Sequence, residues 1–347
     1  MEPKINTPDP TFMHNVVVIP GDGIGKEITK SVQQIIDASG VPTNWIEAVA
    51  GMQAWEETGN QIPEETVDLI RTHRVALKGP LTTPVGEGFK SANVMLRQLF
   101  NLYSNIRPAR SLPGIQSPFK DIDLITFREN TEGLYIGRER WAVQNEEAEL
   151  TGVITRKGSE RVIRASFEFA RKQHRKKVAL AHKANILKIS TGLFLQIGNE
   201  ISKEYPEIEY RDIIIDNLAM QMVINPWQFD IIVTTNLFGD IISDLAAGLV
   251  GGLGVTGSAN MGDDCAIFEA VHGSAPDIAG KNIANPTALL LSAIMMLNHL
   301  DEHEAALRIQ KAINATLTDK RVCTPDVGGT GNTSTYTEAV CAFLRRE

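Results

Sequence analysis

VVVIPGDGIGKEITKSVQQIIDAS, residues 16–39, reads as a strand, a glycine-rich turn and an amphipathic helix. The apolar run Val16–Ile19 describes a strand buried on both faces, as in a sheet covered by helices. From Ile28 onward, apolar residues recur at the spacing of one helix face. The alternation continues down the chain. VALKG (75–79), DLITF (123–127), VALAH (178–182) and DIIVTT (230–235) read as further strands. Helical periodicity runs through 158–173, 187–204, 240–249, 286–300 and 302–317. Strands alternating with helices predict an α/β protein with a largely parallel sheet. GLVGGLGVTGSANMG (248–262) reads as a loop, and SLPGIQSPF (111–119) as a crossing between two lobes.

The turn in the opening stretch has the setting of a dinucleotide fingerprint but not its spacing. Gly21, Gly23 and Gly25 are followed by Lys26 where G-x-G-x-x-G wants its last glycine. Pyrophosphate binding and a tight structural turn beside a cofactor are the two readings it allows.

Composition removes several function classes. The 347 residues are 43% hydrophobic, enough for a large core or two lobes. A net charge of -8 and no long basic run argue against nucleic acid. RKQHRKK (171–177) reads as a solvated helix end. Three scattered cysteines, Cys265, Cys323 and Cys341, make neither a disulfide framework nor a zinc site. No apolar run is long enough to span a membrane, so a cytoplasmic setting is expected, with the polar residues 1–12 as a flexible leader.

Arg97, Arg107 and Arg128 sit in apolar surroundings within SANVMLRQLFNLYSNIRPARS (91–111) and FRENTEGLY (127–135). Burying three guanidinium groups is costly unless anions meet them, and each fork suits one carboxylate. A small polycarboxylate is the natural partner. Asp240 and Asp244, four apart on a predicted helix, share a face, and Asp216 follows the apolar run before it. Oxygen ligands without histidine or cysteine select Mg²⁺ or Mn²⁺, although Asp240 alone also reads as a helix N-cap. Lys183, ending the strand VALAH, and Tyr135 are candidates for proton transfer, or else a surface lysine and a structural tyrosine. His182 reads as structural. FEAVHGSAPDIAGKNIANP (268–286) is either an ordinary connection or a loop whose small residues let backbone amides approach a cofactor.

IPGDGIG, LYSNIRPAR, FRENTEGLY, HKANILK, NLFGDIISDLAAGLVGGLG and VHGSAPDIAGKNIANP, in this order, resemble the metal-dependent β-decarboxylating dehydrogenases over roughly residues 14–345. That family acts on isocitrate, isopropylmalate, homoisocitrate or tartrate. The resemblance implies a two-lobed α/β fold with a twisted mixed sheet, distinct from the Rossmann fold. It implies a large cofactor-binding domain (1–102 and 251–347) and a small domain (103–250), the latter with a dimer interface and a clasp-like segment near 137–170. Arg97, Arg107 and Arg128 match the substrate arginines, and Asp216, Asp240 and Asp244 the metal aspartates. Tyr135 and Lys183 match the proton-transfer pair. A homodimer or higher homo-oligomer is implied, with Asp216 and Lys183 reaching in from a second subunit. Thr83, His272, Gly273, Ser274, Ala275, Asp277, Ile278 and Asn285 match cofactor positions.

Within the family, Ser91 and Asn93 resemble the isocitrate-type pattern, where they hydrogen-bond the extra carboxylate. Asp277 and Ile278 stand where NADP-dependent relatives carry Lys and Tyr, which implies NAD. The expected activity is therefore oxidative decarboxylation of isocitrate, a tricarboxylic acid cycle reaction, with NAD and Mg²⁺ or Mn²⁺. The alternatives are homoisocitrate or isopropylmalate as substrate, or a non-catalytic regulatory subunit.

Overall fold

A computed structural model describes residues 13–83 and 91–346; the leader read at 1–12 lies outside them. In chain order the elements are β1 (His14–Ile19), α1 (Gly25–Ser39), β2 (Thr43–Glu47), α2 (Met52–Thr58), α3 (Glu64–His73), β3 (Val75–Lys78) and α4 (Ala92–Leu99). Next come β4 (Ser104–Arg110), β5 (Asp123–Glu129), β6 (Gly133–Val143), β7 (Glu147–Val153), α5 (Arg156–Lys172), β8 (Lys177–His182), α6 (Ser190–Ile201), β9 (Glu209–Ile214) and α7 (Ile215–Ile224). The chain closes with β10 (Ile231–Thr234), α8 (Asn236–Val250), β11 (Gly257–Met261), β12 (Ala266–Ala270), α9 (Thr287–His299), α10 (His303–Thr318) and α11 (Thr333–Leu344).

Ten strands form one mixed sheet in the order β2-β1-β3-β12-β11-β4-β5-β10-β8-β9. The flanks are parallel, as the alternation predicted. The centre is antiparallel, because β11 pairs antiparallel with both β12 and β4, and β4 pairs antiparallel with β5. This corrects the reading of 248–262 as loop: its last third is β11, buried at the middle of the sheet. Small and polar residues, GSANM, concealed the strand, since nothing in them alternates by hydropathy.

Alternation along each strand sends successive side chains to opposite faces. On one face Val16, Val75, Leu77 and Phe268 pack under α1, α9, α10 and α11, while Phe127, Leu180 and Val233 pack under α5 and α6. On the other face Val17, Ala76 and Ile267 pack against α3 and α4, and Leu124, Ala179 and Ile232 against α7 and α8. This second face is apolar at both ends. Between α4 and α8, over the antiparallel centre, it carries the buried polar residues Lys78, Glu269, Asn260, Asn105, Arg107 and Arg128.

Two further boundaries differ from the sequence reading. Helix α8 begins at Asn236 with Thr235 as its N-cap, so Asp240 lies inside the helix and caps nothing. Of the segment near 137–170, only the β6–β7 hairpin stands as a separate two-stranded sheet. The rest belongs to α5, whose Val162, Ile163, Phe167 and Ala170 are fully buried. Among the described residues no helix is long and apolar enough to cross a membrane.

Candidate active site

Helix α4 supplies Arg97, β4 supplies Arg107 and β5 supplies Arg128; all three are buried. Each is held by a residue that the sequence reading did not single out. Arg128 donates from Nε (3.0 Å) and Nη2 (2.8 Å) to Asn236 Oδ1, and from Nη1 to Asp240 (2.5 Å). Gly239 makes room for it, since a Cβ there would lie 2.5 Å from the Arg128 side chain. Arg107 donates to Ser243 Oγ (2.7 Å) and to Asp244 (3.2 Å). Arg97 pairs with Glu269 at 3.2 Å, and Glu269 also meets the buried Lys78 at 2.6 Å. A carboxylate shared by Lys78 and Arg97 has no local signature, because the three residues come from β12, β3 and α4.

Burial and mutual repulsion shape the charges. Desolvation, then Arg97 and Arg107, lower Arg128 to about 10, and desolvation followed by Arg97 lowers Arg107. Burial pushes the Asp240 carboxyl up, but Arg128, Tyr135, Arg107 and Arg97 overcome that and hold it below its ordinary value. Burial wins at Asp244, which is raised despite Arg107. Glu269 is depressed: burial opposes ionisation, and Lys78 and Arg97 outweigh it. Among the described residues, the Nε groups of Arg97 and Arg107 are buried donors without a partner. Unpaired buried donors on two neighbouring cations are where an anionic ligand belongs.

Tyr135, near the start of β6, donates its hydroxyl to Asp240 Oδ2 and lies beneath the Arg128 guanidinium, 5.0 Å from its ring centre. Burial, then the bond to Asp240, raises its pKa, so the phenol keeps its proton. The chain therefore assembles Arg97, Arg107, Arg128, Tyr135, Asp240 and Asp244 around one cleft.

Lys183 and Asp216 stand apart from it. They pair with each other, and that bond chiefly lowers the Asp216 carboxyl. Among the described residues of one chain, no three acidic, histidine or cysteine side chains gather to hold a metal ion. Asp240 and Asp244 make half of an oxygen-ligand set, one helical turn apart and already facing cations. They fit a hard divalent ion once a further carboxylate joins them. His182 bonds Asp212 at 3.0 Å, in keeping with a structural role.

Ser91 caps α4 by accepting from Val94 N, and Thr83 donates to Ser91 Oγ at 3.4 Å. Asn93 Oδ1 is buried without a partner among the described residues. The glycine turn is tied into the fold. Asp22 accepts from Met52 N (3.0 Å) and Thr82 N (2.7 Å), and Ile24 N–H donates to Ser274 O at 2.9 Å. Gly23, at φ 56°, has no room for a Cβ, which would meet Ser274 O at 2.0 Å. The start of α1 is thus stitched to the 271–286 loop, and Ser274 Oγ bonds Thr82 Oγ1 at 2.7 Å. In that loop His272 Nδ1 approaches Gly273 O at 3.0 Å, and His272 Nε2 is buried without a partner among the described residues. Ala275 adopts φ 38°, Asp277 is exposed and Ile278 is partly buried. Asn285 donates to Asp326 (2.9 Å) and accepts from Thr287 N and Oγ1, which fastens the loop to the start of α9.

A family model described as isocitrate/isopropylmalate dehydrogenase matches residues 15–340. The chain is 48% identical over 328 residues to a mitochondrial catalytic subunit of NAD isocitrate dehydrogenase from Arabidopsis thaliana, covering 94% of this chain and 87% of that one. It is 49% identical over 306 residues to a chloroplastic 3-isopropylmalate dehydrogenase from Solanum tuberosum, covering 88% and 85%. A crystal structure of isocitrate dehydrogenase from Methylococcus capsulatus superposes with a TM-score of 0.93 at 54% identity, covering 96% of this chain and all of that one.

Proposed function

From the premise that the chain belongs to the isocitrate/isopropylmalate dehydrogenase family, we propose that it oxidatively decarboxylates isocitrate to 2-oxoglutarate and CO₂, reducing NAD in the presence of Mg²⁺ or Mn²⁺. Overall identity does not choose the substrate, since relatives named for isocitrate and for isopropylmalate are equally similar. The observation that carries the choice is the α4 end of the cleft. Ser91 caps α4 and Asn93 stands one turn before Arg97, so the Ser91 hydroxyl and the Asn93 Nδ2 amide offer donors there. A third carboxylate accepts from such donors, whereas an isopropyl group leaves them without an acceptor.

Arg97, Arg107 and Arg128 clamp the carboxylates and fix the reacting carbons over Tyr135. Asp240 and Asp244 would hold the metal with Asp216 of a second copy; the 271–286 loop, with Asp277 toward the ribose, would hold NAD. When bound, these groups supply hydride acceptance and stabilisation of charge on the substrate oxygen. Lys183 of the second copy takes the hydroxyl proton, and Tyr135, still protonated, delivers one to the carbon that loses CO₂.

The second copy is supported by the surface around Lys183 and Asp216. Ile189 is 90% and Ile224 64% exposed, and Ile186, Leu187, Met220, Val223 and Ile241 are exposed nearby on α7, α8 and the turn before α6. A patch of that kind marks an interface. The domain division is read as 1–102 with 251–347, and 103–250. The hydrophobic clusters support it, those under α1, α3 and α9–α11 being separate from those under α5–α8.

The test is NADH production with Mg²⁺ or Mn²⁺ on isocitrate, homoisocitrate and isopropylmalate, each with NAD and with NADP. Preference for isocitrate with NAD supports the reading. Preference for another acid refutes the role given to Ser91 and Asn93. Preference for NADP refutes the role given to Asp277.

A further inference from the structure

Asn260, on β11, is 2% exposed and uses its whole hydrogen-bonding capacity. Its Nδ2 donates to Glu269 Oε1 at 2.7 Å and to Ile267 O at 3.2 Å. Its Oδ1 accepts from Asn105 Nδ2 at 3.0 Å and from Asn130 Nδ2 at 2.9 Å. The two ends of this one amide therefore touch opposite sides of the cleft. Glu269 is the carboxylate that holds Arg97. Asn130 stands two residues beyond Arg128, opens the turn that leads to Tyr135, and is anchored in addition to Leu102 O at 3.0 Å.

We propose that Asn260 is a positioning residue for the polycarboxylate: its amide sets the separation between the Arg97 side and the Arg128 side of the clamp. The inference rests on the preceding reading that these arginines bind the substrate. The residue type follows from the geometry. Aspartate has the same shape but no N–H donors, and it would place a second carboxylate against Glu269. Alanine would leave two buried amide donors and one carboxylate oxygen short of a partner. Neither change touches the NAD side of the cleft, whose residues lie on the 271–286 loop and at Thr83.

The experiment compares Asn260→Asp and Asn260→Ala with the unaltered protein, recording kcat, KM for isocitrate, KM for NAD and Tm. Losing a hydrogen bond to a charged group is expected to raise the isocitrate KM about tenfold or more in both variants. The NAD KM should stay within about threefold, since none of the four hydrogen-bond partners of Asn260 lies on the 271–286 loop or at Thr83. A lower Tm with the isocitrate KM within about twofold makes the residue merely structural and overturns the proposal. So does an equal rise in both KM values. Asn260→Asp, being isosteric, decides the matter if the alanine variant does not fold. Failure of the function reading shows separately, as absence of isocitrate turnover in the unaltered protein. The variants are then judged by the same split on whichever acid it turns over, or by calorimetric binding of isocitrate with Mg²⁺ if none is. Unchanged affinity again overturns the proposal.

Discussion

The Arg128–Asp240 side of the cleft and the Lys183–Asp216 side are both cation–carboxylate pairs near strand ends, yet they stand in different surroundings. Arg128 is 1% exposed and its carboxylate partner also accepts from Tyr135. Asp216 is 67% exposed and meets Lys183 alone, with apolar side chains open to solvent around the pair. A buried pair of this kind is fixed in place by the fold, because removing one partner strands the other in low dielectric. An exposed pair contributes little to stability. The difference teaches that Arg128, Asp240 and Tyr135 are already assembled within a single chain, while Lys183 and Asp216 form an exposed pair that, on the proposed reading, a second copy completes.

The largest effects should fall on turnover and treat the two halves alike. Tyr135→Phe and Lys183→Met should each lower kcat by about 10²-fold to 10⁴-fold, while Lys183→Met leaves Tm almost unchanged. Steady-state rates and thermal melts check this. Retained turnover in either variant removes that residue from proton transfer.

Stability should separate the halves. Glu269→Gln strands Lys78 and Arg97 and is expected to cost about 3–5 kcal/mol at neutral pH by denaturant unfolding. Because the folded-state pKa of Glu269 lies below the ordinary value of 4.5, the unfolded chain binds the extra proton first. Its contribution is therefore full well above pH 4.5 and declines as pH falls below that value, narrowing the gap between wild type and variant. A gap independent of pH over that range contradicts the assigned charge state.

The smallest of these effects belongs to the open half. Ile189→Glu should weaken self-association about tenfold or more with no loss of monomer fold, read by sedimentation against concentration. An unchanged assembly would place the interface elsewhere.

Much of this was legible in the sequence, and the misses share a cause. VVVI and VALAH announce buried strands because β-branched apolar residues do so wherever they stand. GSANM does not, because Asn260 is buried only by virtue of its partners on β4, on β12 and just beyond β5. The arginines could be picked out by their apolar neighbours, and Asp240 with Asp244 by helical spacing. Asn236, Ser243, Glu269 and Lys78, which hold those arginines in place, could not, since each acquires its role only through a strand or helix distant in sequence. The spacing of NLFGDIISD does contain a signal in hindsight: Asn236, Gly239, Asp240, Ser243 and Asp244 recur at three- and four-residue intervals along one face of α8.

The central claim is that each site is completed by a second copy, and subunit complementation tests it most directly. Chains carrying Tyr135→Phe and chains carrying Lys183→Met, each inactive alone, are refolded together and assayed with isocitrate, NAD and Mg²⁺. If a site takes Tyr135 from one copy and Lys183 from the other, every mixed dimer has one site with neither substitution and activity returns to about half that of wild type per mixed dimer. If both residues act within one chain, every site carries a substitution and the mixture stays as inactive as its parts.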